Sequence, residues 1–236
     1  MSLRAFFVFS SKIQIVHFIP LSFNLWGIVQ LLIRLRELLI FNGLCAIINS
    51  PINKNLMNLG GAEMNRIKLV FPTIAMEKDA LEFKMKFYNN GEKTIFGSYK
   101  LDVDKYSYLE WLEIIQNNTS VDTANPKFGV SDTLFAMNEE NEIVGIINIR
   151  YDMTEFYKDS GHIGYSVVPE KRMQGYATEM LKEALKRVKM HKLSEVKVVC
   201  SADNIPSRKT IIACGGKLNR MIECEGADKE EYIITL

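Results

Sequence analysis

The chain lacks a charge imbalance. Its 236 residues carry 29 Lys and Arg against 28 Asp and Glu, a formal net charge of +1, whereas a dedicated nucleic-acid binder shows a marked basic excess. It also lacks the cysteine and histidine spacings of a metal protein. Cys45, Cys200, Cys214 and Cys224 form no CxxC pair, and His17, His162 and His191 are scattered, so neither a metal site nor a disulfide framework is expected and a reducing, cytoplasmic setting is. There is no GxxxxGK[ST] and no GxGxxG, which excludes the P-loop and dinucleotide fingerprints. No serine-histidine-acid or paired-carboxylate pattern of a hydrolase can be read out. What is present is an ordinary globular composition, 47% hydrophobic and 24% charged with mean hydropathy −0.01, enough for one medium domain and an extra segment.

That average joins two unlike parts. The first 63 residues hold seven charged side chains, the other 173 hold fifty. Residues 13–33 are free of Asp, Glu, Lys and Arg, and a run of roughly 20 apolar residues can cross a bilayer. Gln14, His17, Pro20, Asn24 and Gln30 interrupt it, however, and basic residues on both flanks (Arg4, Lys12; Arg34, Arg36) give no orientation bias. A signal-peptide cleavage pattern is missing. The residues Gly60-Gly61-Ala62-Glu63-Met64 back-translate to a purine-rich stretch, a short spacer and an ATG, which resembles a bacterial ribosome-binding site. Translation is therefore expected to begin at Met64, with residues 1–63 an apolar extension that is not native or is poorly ordered, and residues 64–236 the domain itself. A membrane-attached form would require residues 13–33 to span.

From Met64 onward the pattern is α+β. Strands are predicted at 67–71, 132–137, 143–150, 163–168, 196–200, 218–223 and 232–235. Helices are predicted at 74–89, 105–116, 176–190 and 207–214, with Asn90-Gly91 and Gly215-Gly216 as stops.

The chemistry sits where the strand ending at Val168 runs through Pro169-Glu-Lys-Arg172-Met-Gln-Gly175-Tyr-Ala177 into a long helix. A helix N-terminus leaves unpaired N–H groups and a positive partial charge, so it attracts phosphate. Gly175 admits a close ligand and an unusual φ, Ala177 keeps the first turn uncrowded, and Arg172 adds a permanent charge. Strand, glycine loop and helix start make an anion cradle, suited to a pyrophosphate.

The spacing Arg172-x-x-Gly175-x-Ala177 matches the R/Q-x-x-G-x-G/A motif of the GNAT acetyltransferases, and Asn204-x-x-Ser207 opens a short helix after the next strand, as in that superfamily. The order of elements from Ile67 to Leu236 resembles it too. Gly161-His-Ile-Gly-Tyr-Ser-Val-Val-Pro169 and Tyr108-Leu-Glu-Trp111 look most like a bacterial branch of predicted acetyltransferases. The resemblance implies a mixed, mostly antiparallel central sheet with a splayed parallel strand pair and helices on both faces. It also implies acetyl-coenzyme A as co-substrate, lying between strands 163–168 and 196–200. Val167 and Val168 would then offer backbone groups to the pantetheine arm. The amides of Met173, Gln174, Gly175, Tyr176 and Ala177 would hold the pyrophosphate, with Arg172 at its edge. Asn204 and Ser207 would face the cofactor or simply cap the helix. The activity implied is direct transfer of an acetyl group to a primary amine in a ternary complex. A coenzyme A-binding module without turnover is the alternative.

Transfer requires a neutral amine, a stabilised oxyanion and a departing thiolate. A backbone N–H near Val167 or Val168 is the expected oxyanion donor. Many relatives place a tyrosine acid seven residues after the position of Asn204, but Ile211 stands there. His162 is the expected base, because imidazole titrates in the right range. Glu155 is a candidate acting through water, as is Asp159, and Tyr165 is a candidate proton donor. Glu223, Glu225, Asp228, Glu230 and Glu231 cluster near the end of the chain as an acidic rim that would attract a cationic amine. The acceptor is expected to be a small-molecule or peptide amine, and pairing of two copies through terminal strands is common in such enzymes.

Overall fold

The computed structural model describes residues 6–9, 12–15, 66–224 and 227–236. The chain divides into two units at Glu63/Met64. In the first, β1 (Phe6–Phe9) and β2 (Lys12–Ile15) form an antiparallel hairpin, Phe6 opposite Ile15. The predicted low order of the extension and most of the apolar run 13–33 lie outside the described residues. No helix among the described residues is long and apolar enough to cross a membrane.

The second unit runs β3 (Lys68–Val70), α1 (Glu77–Asn89), α2 (Tyr108–Asn117), β4 (Ser131–Met137), β5 (Ile143–Arg150), β6 (Ile163–Val167), α3 (Tyr176–Met190), β7 (Glu195–Ser201), α4 (Ile205–Ala213), β8 (Lys217–Cys224) and β9 (Ala227–Thr235). The seven strands lie in the order β3-β4-β5-β6-β7-β9-β8, and every neighbouring pair is antiparallel except β6 with β7. This is the α+β fold that the resemblance implied. The element order follows the sequence pattern, with two differences. A 3-10 turn, Ile74–Met76, precedes α1, and β9 starts five residues before Tyr232. That early part carries Asp228, Glu230 and Glu231, acidic residues of low strand propensity. The ladder to β7 enforces the strand, and Glu230 and Glu231 gain cationic partners.

The middle of the sheet is covered on both faces, so β5 reads as a nearly unbroken apolar run, Ile143-Val-Gly-Ile-Ile147. One face packs Leu134, Ile147, Ile149, Ile163 and Val167 under Met180, Leu181, Ala184 and Val188 of α3. The 3.6-residue period puts those four α3 side chains on one stripe. The other face packs Phe135, Ile146 and Val168 against Phe83 and Phe87 of α1 and Trp111 and Ile115 of α2. Phe135 meets Phe83 and Trp111 with ring centroids 5.8 Å from each, within the range of favourable aromatic pairs. Helix α2 begins in a capping box: Glu110 N–H donates to Ser107 Oγ, and the Glu110 carboxylate accepts the Ser107 N–H at 2.8 Å.

One close approach sets the height of α3 over the sheet. A Cβ at Gly145 of β5 would lie 2.6 Å from the Met180 sulfur and 2.8 Å from Ser166 O. The absence of that atom brings the start of α3 down onto the β5–β6 pair.

Candidate active site

Strand β6 leaves β7 after a single register pair, Ile163 with Val198. The ladder with β5 decides which groups that parting exposes. Arg150 N–H donates to His162 O at 2.8 Å and Val168 N–H to Val144 O at 3.0 Å. Antiparallel alternation therefore turns the main-chain groups of Ile163, Tyr165 and Val167 away from β5 and toward β7. Past Ile163 the register to β7 stops, and the edge of Tyr165 and Val167 borders a wedge.

His162 closes the vertex of that wedge. Its N–H donates to Lys197 O at 2.7 Å, and its Nδ1 accepts the Lys197 N–H at 2.9 Å. The side chain is buried, and burial pushes its pKa below the ordinary histidine value. With Nδ1 engaged by a backbone donor, the neutral ring carries its proton on Nε2. The lone pair expected of a base is thus in use.

Beyond Val168 a 3-10 turn, Pro169–Lys171, leads to Met173 at φ +59° and Gly175 at φ +87°. Both are left-handed, a conformation glycine adopts freely and methionine does not. Gly175 O accepts from Thr178 and Glu179 N–H, which starts α3. The five amides from Met173 to Ala177 donate to no group among the described residues. The loop thus presents a run of free donors at a helix N-terminus.

Arg172 is placed differently from the expectation. Its Nη1 and Nη2 hold both oxygens of Glu92 at 2.9 and 2.8 Å, and its Nε donates to Val167 O at 3.1 Å. It braces the loop against the α1–α2 connection. The pairing also draws the Glu92 carboxyl below its ordinary pKa. Arg66, just before β3, braces the other side: it bonds Glu179, donates to Gln174 O at 2.8 Å and lies over the Tyr176 ring. Neither Glu92 nor Arg66 was legible as a site residue, because each sits far in sequence from the loop it supports and carries no motif.

On the α4 side, Asn204 Oδ1 accepts the Ser207 N–H at 3.1 Å, an ordinary helix cap, while Ser207 Oγ shares a 2.9 Å hydrogen bond with the Tyr165 hydroxyl. Burial pushes the Tyr165 pKa up to about 12, so the phenol stays protonated. The Cys200 and Cys214 thiols are likewise raised by burial and are poor nucleophiles. Glu155 is exposed and pairs with Lys158 at 3.3 Å, and Asp159 pairs with Arg220 at 3.2 Å. The expected acidic rim is partly neutralised. Glu230 is bound by Arg208 and the Tyr232 hydroxyl, and Glu231 by Arg220 and Asn219. Glu225 lies outside the described residues. The main-chain donors of the expected oxyanion site narrow to Val167, since the Val168 N–H is engaged by Val144.

A splayed parallel strand pair thus leads into a run of free amides at a helix N-terminus. The family model described as "Acetyltransferase (GNAT) domain" matches residues 68–217. The chain belongs to that family. It shares its fold with Mycobacterium smegmatis RimJ in complex with CoA-disulfide, at 18% identity and TM-score 0.55 over 72% of this chain and 81% of that one. The microcin C7 self-immunity acetyltransferase MccE, in complex with acetyl-CoA and AMP, aligns at 16% identity and TM-score 0.53 over 73% and 93%. The ribosomal-protein-S5-alanine acetyltransferase from Vibrio fischeri aligns at 16% identity and TM-score 0.51 over 74% and 95%. A search of curated proteins by sequence finds no match.

Proposed function

We propose that this chain moves the acetyl group of acetyl-coenzyme A onto a primary amine by direct attack within a ternary complex. The observation that carries the reading is the continuity of two sets of main-chain groups: the wedge edge at Tyr165 and Val167 runs straight into the free amides of Met173 to Ala177. Coenzyme A supplies a thioester and a diphosphate, and RimJ and MccE are both described with coenzyme A species bound. In this reading the five amides hold the diphosphate, Val167 N–H faces the acyl oxygen, and Arg172 and Arg66 keep the loop in place.

The Tyr165–Ser207 hydroxyl pair spans from β6 to α4 and serves as the hydrogen-bond donor to the departing thiolate. A thiol with a pKa near 8.5 needs little more than such a donor. His162 acts as the clasp that fixes the wedge vertex, and the proton of the amine leaves through water beside Glu155 and Asp159. Holding amine and thioester together supplies much of the rate.

The test is calorimetric titration of coenzyme A into the full chain, followed by a thiol-release screen over an amine panel, with Gly175→Trp beside wild type. Micromolar uptake by wild type, its loss in Gly175→Trp, and thiol release with at least one amine are expected. Uptake without release from any amine would favour the binding-module alternative, and no uptake at all would falsify the reading.

A further inference from the structure

Three arginines of this domain turn the same edge of the guanidinium to a carboxylate. Arg208 turns Nε and Nη2 to the two Glu230 oxygens at 2.7 and 2.7 Å, Arg220 turns them to Glu231 at 3.1 and 3.2 Å, and Arg66 turns them to Glu179. Arg150, at the end of β5, does not. Its Nη1 donates to Gly161 O at 2.8 Å and Ser160 O at 3.4 Å, and the Tyr157 ring lies 4.2 Å from its guanidinium carbon. Its Nε is buried and has no acceptor, and no carboxylate pairs with it among the described residues. Burial pulls its pKa down. A charged donor held out of water without an acceptor is costly, and such groups in native proteins call for a partner.

The surroundings repeat the theme. Gly97 of the α1–α2 connection presses on β6, where a Cβ would lie 2.3 Å from Gly164 O, and Arg150 Nη2 lies 3.4 Å from the Cβ position of Gly164. Arg150 therefore faces the strand that borders the wedge, at the end away from the amide cradle. Lys100 lies 5.4 Å from the Phe128 centroid and Lys127 lies 5.1 Å from that of Phe156. Neither lysine pairs with a carboxylate among the described residues. Of the acidic residues in the same connections, Asp102 accepts the Ile95 N–H and Asp152 the Val130 N–H, Asp104 pairs with Lys84 and Asp159 with Arg220, and Glu155 is exposed beside Lys158. Phe96 and Phe156 are exposed beside them. Cations and aromatic rings thus share these connections with the carboxylates of Glu155 and Asp159.

We infer that the acceptor amine carries a carboxylate, and that this carboxylate docks on the Nε–Nη2 edge of Arg150. The inference rests on the transferase reading above and names the substrate class of that site. A planar carboxylate accepts from both donors of this edge at once, as Glu230 does from Arg208.

The test pairs each free amino acid with its own carboxamide, over the α-amino acids and the straight ω-amino acids of two to six carbons. Initial rates of thiol release are read on the full chain. In at least one pair the wild type prefers the carboxylate at least tenfold in kcat/KM. Arg150→Met abolishes that preference through KM, with kcat for the amide and the coenzyme A Kd within about twofold of wild type, and Arg150→Lys keeps part of it. The wild-type comparison tests the substrate class even where a variant fails to fold, and Arg150→Lys then tests the docking residue. Equal or better rates for the amides in every pair overturn the inference. So does a preference that survives Arg150→Met in folded protein, and so does the absence of any acetylated carboxylate-bearing amine while coenzyme A is still taken up. Failure of the underlying reading shows itself separately, as no coenzyme A uptake by the wild type.

Discussion

At the residue scale, His162 shows how a side chain that reads as a base is held in a structural contact. Its ring and backbone both bind Lys197, so a substitute that accepts the same N–H should keep the wedge. His162→Gln is expected to retain most of the thiol-release rate and His162→Ala to lose about tenfold. If His162→Gln and His162→Ala lose activity equally and both abolish the acid limb of the pH–rate profile, the ring is the base after all. Stability adds an independent readout. The folded pKa of His162 lies below its unfolded value near 6.5, so the unfolded chain binds more protons between the two values. The contribution of this group to stability falls as pH drops through that window, and its loss is complete below the folded pKa. Urea titrations from pH 7.5 to 5 are expected to show a shallower fall in His162→Gln than in wild type. Arg172 and Glu92 give a second case. Both are partly exposed, so the pair is worth only about 1 kcal/mol, and Glu92→Gln should weaken coenzyme A binding several-fold by calorimetry while leaving kcat nearly unchanged.

At the element scale, the cradle depends on the shape of the loop and on how deep α3 sits. Gly175→Ala puts a Cβ on a left-handed residue, and that Cβ would lie 3.2 Å from Arg66 Nη2. The conformational cost is about 1 kcal/mol, which predicts roughly fivefold weaker coenzyme A uptake with a small drop in Tm. Gly145→Val acts from the other side. It must displace the Met180 side chain and the β6 backbone at Ser166, so α3 lifts from the sheet. Overpacking of this kind costs about 1–3 kcal/mol, read as a lower urea midpoint, and coenzyme A binding should fall with it because the amides move as a unit with the helix.

At the scale of the whole molecule, the boundary between the two units at Glu63/Met64 and the family match over 68–217 predict that a chain starting at Met64 keeps the Tm and the coenzyme A affinity of the full chain. A loss of either, by calorimetry, would show that the first 63 residues support the site. The sequence by itself determined the order of elements, because periodicity, the Ser107 cap and the glycine stops are local signals. It also determined the run of free amides, which follows from a loop that enters a helix through Gly175. Tertiary structure alone decided the electrostatics. Arg172 reads as a phosphate ligand until Glu92, eighty residues away, is brought against it, and His162 reads as a base until β7 offers a backbone donor to its lone pair. Glu230 and Glu231 read as an acidic rim until Arg208 and Arg220 fold onto them. Arg150 has no motif at all, and only the folded chain buries its Nε and brings it no carboxylate. Helices and turns are written in neighbouring residues, whereas the charge a ligand meets depends on which distant partners the packed sheet brings within three ångströms or so.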